Sequence, residues 1–286
     1  MQDSPLSVAA LLDVYSRGES ALDRLDVEVL LCDTLDKNRA FLYTWPDYCL
    51  QEEEAARFRA MVSRRQAGEP VAYITGYREF WSLSLACDAS TLIPRPETEL
   101  IVEWALQNMN SATTCRVLDL GCGTGAIALA IASERANWRV RGTDFSPQAV
   151  ALAQRNAERL DLQRVQFQQG SWYQAAGEEQ YDLIVSNPPY IDPEDPHLQQ
   201  GDVRYEPRSA LIAENHGLAE IEEITRGAIQ HLDANGWLAI EHGYDQQSCV
   251  QNIFTNAGFN QVRCLPDLAG LPRVTVGCIG KVEHAL

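Results

Sequence analysis

The sequence of 286 residues predicts an α/β fold, in which a small N-terminal helical domain precedes a mostly parallel sheet with an antiparallel edge pair. Three observations lead to this prediction. The first part of the chain carries apolar residues at helical spacing. From residue 115 onward, short apolar runs alternate with helical segments, as parallel strands joined by crossover helices require. The C-terminal part then shows two strand-like runs joined by a loop.

Residues 1–72 predict an N-terminal helical bundle. One helix should begin at Asp23, and its inward face is predicted to hold four apolar residues, Leu25, Val29, Leu30 and Leu35. Another helix runs through "EEEAARFRAMVSRRQAG", where the acids come first and the bases last, as the helix dipole favours. Gly68 is the expected stop of that helix.

Residues 73–92 predict a β-hairpin connector, because "YREFWSLSLACD" contains two short runs rich in aromatic or alternating apolar residues. Residues 93–286 form the predicted second domain. It opens with "LIPRPETELIVEWALQNM", in which Pro96 occupies the first position of a helix. Strands are expected at "RVLDL", "WRVRGTD", "RVQFQQ", "YDLIVS" and "GWLAIEH", with helices around 125–134, 146–160 and 217–233. The edge pair comes from "FNQVRCLPDLAGLPRVTVGCIG".

Composition narrows the classes of function. The net charge of −17 disfavours an extended phosphate-binding surface, which depends on clustered Lys and Arg. No apolar run is long enough to cross a membrane, and the first residues lack the basic start and cleavage site of a signal peptide. The eight cysteines show no CxxC spacing and no histidine at ligand spacing. We therefore expect a reduced, cytoplasmic protein without a metal site.

"VLDLGCGTGAIAL" combines an apolar strand, a glycine-rich turn and the start of a helix. Glycines allow the backbone to approach a ligand where a Cβ would clash. The next strand ends at Asp144, whose carboxylate can accept both hydroxyls of a ribose. A tight turn with a capping Asp and a dinucleotide-binding oxidoreductase are the alternatives. However, the G-x-G-x-G spacing with Asp119 before it resembles the S-adenosylmethionine motif of class I methyltransferases. The resemblance implies a class I (Rossmann-like) methyltransferase sheet.

"VSNPPYI" follows the fourth strand of this predicted sheet. Ligands of open α/β sheets lie at the carboxyl ends of the strands, so Asn187 should face the same crevice as the glycine-rich turn. Asn and Pro are also ordinary turn residues, and a plain turn is the alternative. Two rigid prolines after a core strand nevertheless suit a loop whose polar groups are held in place before a ligand binds.

The residue types suit methyl transfer to a planar nitrogen whose lone pair is delocalised. Such a group needs two acceptors aimed at its N–H bonds and close alignment with the methyl group. The side-chain oxygen of Asn187 can be one acceptor, and the backbone carbonyl of Pro188 can be the other. Pro189 completes the rigid loop, and Tyr190 offers a flat face for a planar group. The loop is therefore predicted to be a socket for an N–H₂ group.

"NPPY" resembles the motif shared by methyltransferases that act on amide nitrogen and on the amino groups of adenine or cytosine. Together with "YREFWSL", "LIPRPETE", "DVRYEPRSAL" and "EHG", it resembles the release-factor glutamine methyltransferases, the PrmC/HemK family, over nearly the whole chain. This resemblance implies methylation of the side-chain N5 of the glutamine in the Gly-Gly-Gln motif of class I peptide chain release factors. We expect these factors to be the partners, with no stable nucleic-acid or membrane partner, and the protein to be a monomer.

The resemblance also implies the roles of individual residues. The cofactor would be held by Gly121, Cys122, Gly123, Thr124, Gly125, Asp144, Trp172 and Asn187. The glutamine amide would be held by Asn187, Pro188, Pro189 and Tyr190, of which Asn187, Pro188 and Tyr190 are the expected catalytic residues. Relatives often have an acid before the aromatic residue that packs near the adenine, whereas this chain has Ser171 before Trp172. The adenine contact of Ser171 is therefore open.

Several charged residues have two interpretations. Arg95, Glu97 and Glu99 can form the rim of the pocket or serve as helix-start charges. Arg204 and Glu206 can order a loop beside the pocket or pair with each other on the surface. Glu241-His242 can lie near the cofactor or have a structural role, and the structural role is favoured. Two other functions are alternatives: a nucleic-acid amino-methyltransferase of the N6-adenine type, and a non-catalytic adaptor that binds release factor through the helical bundle. The acidic charge disfavours the first, and the intact cofactor motif disfavours the second.

Overall fold

The computed structural model describes residues 7–17 and 21–280. The chain divides into two compact units. The helical unit comprises Met1–Tyr77 together with Gln199–Tyr205, and the sheet unit comprises Arg78–Leu198 together with Glu206–Leu286. The helical unit therefore includes a short segment that the predicted domain boundaries assign to the second domain.

The helices of the helical unit are α1 (Val8–Tyr15), α2 (Arg24–Leu35), α3 (Arg39–Thr44), α4 (Glu52–Gln66) and α5 (Val71–Thr75). Helix α2 begins where the sequence predicts, because the Asp23 carboxylate accepts a hydrogen bond from the backbone N–H of Leu25 at 2.7 Å. The capping box of α4 pairs Gln51 with Glu54, and Gly68 follows the helix with a φ of 97°. The start of α2 and the end of α4 therefore agree with the positions that the sequence predicts.

The inward face of α2 differs from the prediction. Leu25 and Val29 are exposed, at 51% and 37%, so placing them in the core was wrong. The buried positions at helical spacing are Val27, Leu30, Leu31, Thr34 and Leu35. These positions form a single i, i+3, i+4, i+7, i+8 stripe, whereas Leu25 and Val29, at about 100° per residue, lie on the opposite side of the helix.

Residues 199–205 belong to the helical unit through polar contacts with the end of α4 and the residue after it. Arg65 donates from Nη1 to Asp202 Oδ1 at 2.7 Å and from Nε to Asp26 on α2. Tyr205 donates its hydroxyl to the backbone carbonyl of Ala67 at 2.7 Å. One arginine therefore holds together two helices and a segment that is far away in sequence.

The sheet unit contains the strands β1 (Tyr77–Phe80), β2 (Leu83–Ala86), β3 (Arg116–Leu120), β4 (Arg139–Asp144), β5 (Gln166–Gln169), β6 (Tyr181–Ser186), β7 (Leu232–Glu241), β8 (Asn260–Pro266) and β9 (Pro272–Cys278), although Tyr77 itself is grouped with the helical unit. Its helices are α6 (Glu99–Asn108), α7 (Ala126–Glu134), α8 (Pro147–Arg159), the short α9 (Glu214–Gly217), α10 (Ala219–His231) and α11 (Gln247–Asn256). The sequence prediction did not include α11.

Among the described residues, the main sheet has seven strands in the order β5-β4-β3-β6-β7-β9-β8. Strands β3 to β7 pair in parallel, and β9 pairs antiparallel with both β7 and β8. The predicted fold class, a mostly parallel sheet with an antiparallel edge pair, is confirmed. Because β3 lies between β4 and β6, the carboxyl ends of these three strands meet at one edge of the sheet.

Alternate residues of the central strands supply two hydrophobic cores. Val117, Leu183 and Val185 point into one core, whereas Leu118 and Ile184 point into the other. Helices therefore cover both faces of the sheet, as the near-continuous apolar strands require.

The β1–β2 hairpin turns at Trp81 and Ser82, whose φ angles are 51° and 59°. Phe80 and Leu85 from the two strands are buried in the same core as helices α6 and α7. The Glu99 carboxylate accepts a hydrogen bond from the backbone N–H of Trp81 at 2.8 Å. The hairpin is therefore anchored in the core of the sheet unit.

Candidate active site

A cavity of about 430 Å³ lies at the carboxyl ends of β3, β4 and β6. Most of the predicted site residues line it: Gly121, Cys122, Gly123, Thr124, Asp144, Trp172, Asn187 and Pro189. Gly125, Pro188 and Tyr190 are not part of this lining. Ser171, Phe145 and Glu220 do line it, as do residues of the segment 90–98. The volume lies in the range of ordinary small-molecule sites.

Two glycines of the turn after β3 occupy positions that disfavour a side chain. Gly121 has a φ of 70°, and a Cβ there would lie 3.4 Å from the indole ring of Trp172. Gly125 has a φ of 82°, and a Cβ there would lie 2.9 Å from the ring of Phe167. The left-handed backbone favours glycine at both positions, and at Gly125 the close ring of Phe167 excludes a Cβ as well, so the backbone itself forms this wall.

Asp144 at the end of β4 is tied to the glycine-rich turn. Its Oδ2 accepts from the backbone N–H of Gly123 at 3.0 Å, and its Oδ1 accepts from Ser146 at 2.9 Å. Burial raises the pKa of the carboxyl, although these two hydrogen bonds act in the opposite direction. Each oxygen keeps a further lone pair with which it can accept a hydroxyl group of a ligand.

Asp119 is the last acid before the turn and is almost completely buried. Its Oδ2 accepts from the backbone N–H of Ala128 at 3.1 Å, whereas its Oδ1 has no hydrogen-bond partner in the described part of the chain. Burial, with a smaller contribution from the charge of Asp144, raises its pKa to about 7. Two carboxyl groups next to one turn favour a ligand that carries positive charge.

Trp172 has a φ of 44°, a left-handed conformation that is unusual for an aromatic residue. Its indole Nε1 donates to Glu220 Oε2 at 3.0 Å, which holds the ring beside Gly121. Burial raises the pKa of the Glu220 carboxyl, and the bond from Trp172 partly opposes this. The ring is therefore fixed as a flat wall of the cavity before any ligand binds.

Asn187 follows β6 and reaches the same cavity. Its side-chain Nδ2 donates to Thr98 Oγ1 at 3.0 Å. Ile191, at the end of the loop, forms backbone hydrogen bonds with Leu211 and Ala213. The backbone carbonyl of Tyr190 accepts from Gln246 Nε2 at 3.0 Å. The loop after β6 is thus anchored by hydrogen bonds at its far end as well as by its two prolines.

Two models of known protein families match the sequence: the PrmC N-terminal domain over residues 16–76, and the Methyltransferase small domain over residues 98–201. A release factor glutamine methyltransferase of Vibrio cholerae is 50% identical over 88% of both chains. The enzyme of that name from Escherichia coli is 45% identical over 89% of this chain and 91% of its own. The chain belongs to the release factor glutamine methyltransferase family. The resemblance seen in the sequence motifs is therefore confirmed.

Solved structures agree with the family's methyltransferase fold. The crystal structure of a methyltransferase from Pyrococcus furiosus matches 78% of this chain and 98% of its own, with a TM-score of 0.54 and 17% identity. At this identity the match concerns the fold alone. Enzymes of the release factor glutamine methyltransferase family use S-adenosylmethionine as methyl donor. The close backbone wall and the two carboxyl groups fit this donor, which carries a positively charged sulfur and an ammonium group.

Arg95 and Glu206, two of the charged residues that have two interpretations, form an ion pair with each other. Arg95 Nη2 lies 2.9 and 2.7 Å from the two carboxylate oxygens of Glu206, whose side chain is fully buried. The pair joins the segment before α6 to the segment 206–212, and both contribute to the cavity wall. These two family motifs therefore shape the rim together.

Glu241 at the end of β7 connects the segment before α6 with the loop after β6. It is buried and accepts hydrogen bonds from the hydroxyls of Thr98 and Tyr190. His242 next to it bonds to Thr275 and to the carbonyl of Gly243, which is a structural role. In the sequence, only the joint occurrence of the motifs "PETE", "NPPY" and "EHG" pointed to this network. The motifs do not show which of their residues are in contact.

No group of three or more His, Cys, Asp or Glu side chains within residues 7–17 and 21–280 is suited to hold a metal ion. Over the same described residues, every helix is too short or too polar to cross a membrane.

Asp144→Ala is expected to weaken the binding of S-adenosylmethionine by about 1–3 kcal/mol, the usual loss for a charged hydrogen-bond partner. The reason is that the variant loses both the predicted acceptor for a ribose and the hydrogen bond from Gly123. Isothermal titration calorimetry would measure the change, with Asp47→Ala at an exposed position as the control. An unchanged affinity would rule out the ribose role of Asp144.

Proposed function

We propose that this chain transfers the methyl group of S-adenosylmethionine to the side-chain N5 of the glutamine in the Gly-Gly-Gln motif of class I peptide chain release factors. The observation that carries this proposal is the placement of Asn187, fixed by Thr98, in the same cavity as the glycine-rich turn. The names of the relatives, which are 45–50% identical to this chain, support the same assignment.

The residues of the chain act by binding and orienting the two reactants. Asn187 Oδ1 and the backbone carbonyl of Pro188 accept the two N–H bonds of the glutamine amide, which turns the nitrogen lone pair toward the methyl group. Asp144 holds the ribose, and Trp172 forms a wall beside the glycine-rich turn. The bound cofactor supplies a methyl group on a positively charged sulfur.

The reaction needs no strong base. A bond forms between the amide nitrogen and the methyl carbon, and the electrons of the broken carbon–sulfur bond remain on sulfur as a neutral thioether. The methylated amide nitrogen then carries positive charge and loses a proton readily to water. The contribution of the protein is therefore alignment and hydrogen bonding, worth several kcal/mol when the geometry is fixed in advance.

The direct test is to incubate the protein with methyl-labelled S-adenosylmethionine and a class I release factor, and then to locate the label by mass spectrometry. The label is expected on the glutamine of the Gly-Gly-Gln motif. A release factor with glutamate in place of that glutamine is the control, because glutamate has no N–H₂ group. Transfer to DNA or RNA, with none to the release factor, would overturn the proposal in favour of the amino-methyltransferase alternative.

We also propose that the helical unit serves the binding of the release factor more than the binding of the cofactor, and that the protein acts as a monomer in the cytoplasm, where translation takes place. The match of residues 16–76 to the PrmC N-terminal domain and the lining of the cavity by residues of the sheet unit support this division.

A chain that begins at Arg78 is expected to bind S-adenosylmethionine within about threefold of the full protein and to lose at least about tenfold in activity on release factor, since tenfold corresponds to 1.4 kcal/mol of lost binding. This start keeps the hairpin, whose Phe80 and Leu85 belong to the core of the sheet unit. Calorimetry and a methylation assay measure the two effects, and circular dichroism checks the fold. Full activity on release factor would contradict the assignment.

A further inference from the structure

A chain of hydrogen bonds links the Asn187 side chain to the buried carboxylate of Glu241. Asn187 Nδ2 donates to Thr98 Oγ1 at 3.0 Å, and Thr98 Oγ1 donates to Glu241 Oε2 at 2.6 Å. Tyr190 donates its hydroxyl to the other carboxylate oxygen at 3.2 Å. Thr98 and Glu241 are 4% and 1% exposed, so little water competes for these bonds.

When Glu241 is ionised, the direction of each hydrogen bond between Asn187, Thr98 and Glu241 is determined. An ionised carboxylate only accepts hydrogen bonds, so the single proton of the Thr98 hydroxyl is directed at Glu241. The Thr98 oxygen must then act as the acceptor toward Asn187, which requires the N–H₂ side of the amide. A flipped amide would place Asn187 Oδ1 against an oxygen that has no proton to offer, and a buried unpaired acceptor is costly.

We propose that Thr98 and Glu241 are positioning residues that hold the amide of Asn187 in one of its two orientations, with Nδ2 turned toward Thr98 and Oδ1 left for the N–H of the substrate. The inference rests on the proposed function, in which Oδ1 accepts from the target glutamine. Glu241 contacts neither reactant in this scheme and acts through Thr98 and through the hydroxyl of Tyr190.

The main test is a matched pair of substitutions at Thr98. Thr98→Val keeps the shape but removes the hydroxyl, so the Asn187 amide samples both orientations, and kcat on release factor should fall on the order of 10- to 100-fold. Cofactor affinity should stay within about threefold, since Thr98 supports Asn187 and not the glycine-rich turn. Thr98→Ser restores the hydroxyl and should bring kcat back to within about threefold of the unmodified protein.

A control for burying valine in place of threonine is available in α10. Thr225 is fully buried, and its hydroxyl has no hydrogen-bond partner among the described residues. Thr225→Val makes the same chemical change outside the cavity lining and should leave kcat unchanged. A loss of kcat in Thr98→Val but not in Thr225→Val separates the loss of positioning from a general effect on the fold.

Glu241→Gln adds a readout that depends on pH. Burial raises the pKa of Glu241 to about 7, and the nearby charge of Glu97 also raises it. The hydrogen bonds from Thr98 and Tyr190 and the charge of Arg273 lower this pKa. A protonated Glu241 carboxyl can donate a hydrogen bond to Thr98, so the hydrogen bond between Thr98 and Asn187 no longer has one required direction. The kcat of the unmodified protein should therefore fall as the pH drops through about 7, and Glu241→Gln should lack that step.

The side-chain N–H₂ resonance of Asn187 in a ¹⁵N-labelled sample gives a readout that does not depend on turnover. It should show slow hydrogen exchange in the unmodified protein and in Thr98→Ser, and lose that protection in Thr98→Val. Unchanged kcat and unchanged exchange in Thr98→Val would overturn the positioning role while the methyltransferase function stands. Failure of the unmodified protein to methylate release factor would instead overturn the proposed function, and the Asn187 exchange data would still decide the role of Thr98.

Discussion

Asn187→Ala is expected to lower turnover on release factor by about 10²–10³-fold, the usual loss when one acceptor aimed at the reacting group is removed. The fold should remain intact, because Asn187 lies in the loop after β6 and not in either hydrophobic core. Single-turnover methylation assays would measure the rate, with Asn252→Ala on the exposed face of α11 as the matched control. A rate equal to that of the unmodified protein would leave the loop as an ordinary turn.

Asn187→Asp distinguishes the two halves of the amide. The variant keeps an acceptor for the substrate, but it has no N–H to donate to Thr98 and adds a charge beside the positively charged sulfur of the cofactor. We expect good cofactor binding and a turnover between those of the unmodified protein and Asn187→Ala. A turnover below that of the alanine variant would mean that the added charge matters more than the retained acceptor.

Asp119→Asn is expected to change the pH dependence of stability in the absence of cofactor. The pKa of Asp119 is raised from its ordinary value of 3.8 to about 7 by burial, so the folded protein binds this proton more tightly than the unfolded chain. The stabilising contribution is complete below pH 4 and is lost as the pH rises to about 7. At about 1.4 kcal/mol for each unit of pKa difference, this amounts to about 4 kcal/mol in total, more than half of it above pH 5.

Urea unfolding at pH 5, 6, 7 and 8 would measure this effect. The difference in the free energy of unfolding, Asp119→Asn minus unmodified protein, should rise by about 2–3 kcal/mol from pH 5 to pH 8. Asp47→Asn, at an exposed position, is the control for losing one carboxylate. Parallel pH profiles for Asp119→Asn and the unmodified protein would mean that Asp119 is not protonated in the fold.

The sequence predicted the fold class and the edge where the site lies, because apolar runs and glycine-rich turns report local structure directly. The proximity of Asp144 and Asn187 could be predicted from the sequence, because both residues follow parallel strands of one sheet. The bond between Thr98 and Glu241 spans 143 residues and depends on the path of the segment 90–98 over the strand ends. No periodicity encodes such a path. The mistaken face of α2 has a different cause. Leu25 and Val29 lie on the side of that helix opposite to the buried stripe, so apolar residues occur on both sides and only packing shows which side is buried.

Segment 199–205 has a consequence for how the chain is made. The helices of the helical unit are synthesised before the sheet unit, but their contacts with Asp202 and Tyr205 arrive about 120 residues after Tyr77. At about 5–20 residues per second, the nascent helices wait roughly 6–24 s with Arg65 lacking the partner at Asp202. During that interval strands β3 to β6 have already emerged. The N-terminal unit of this methyltransferase therefore cannot be completed as an independent early folding event.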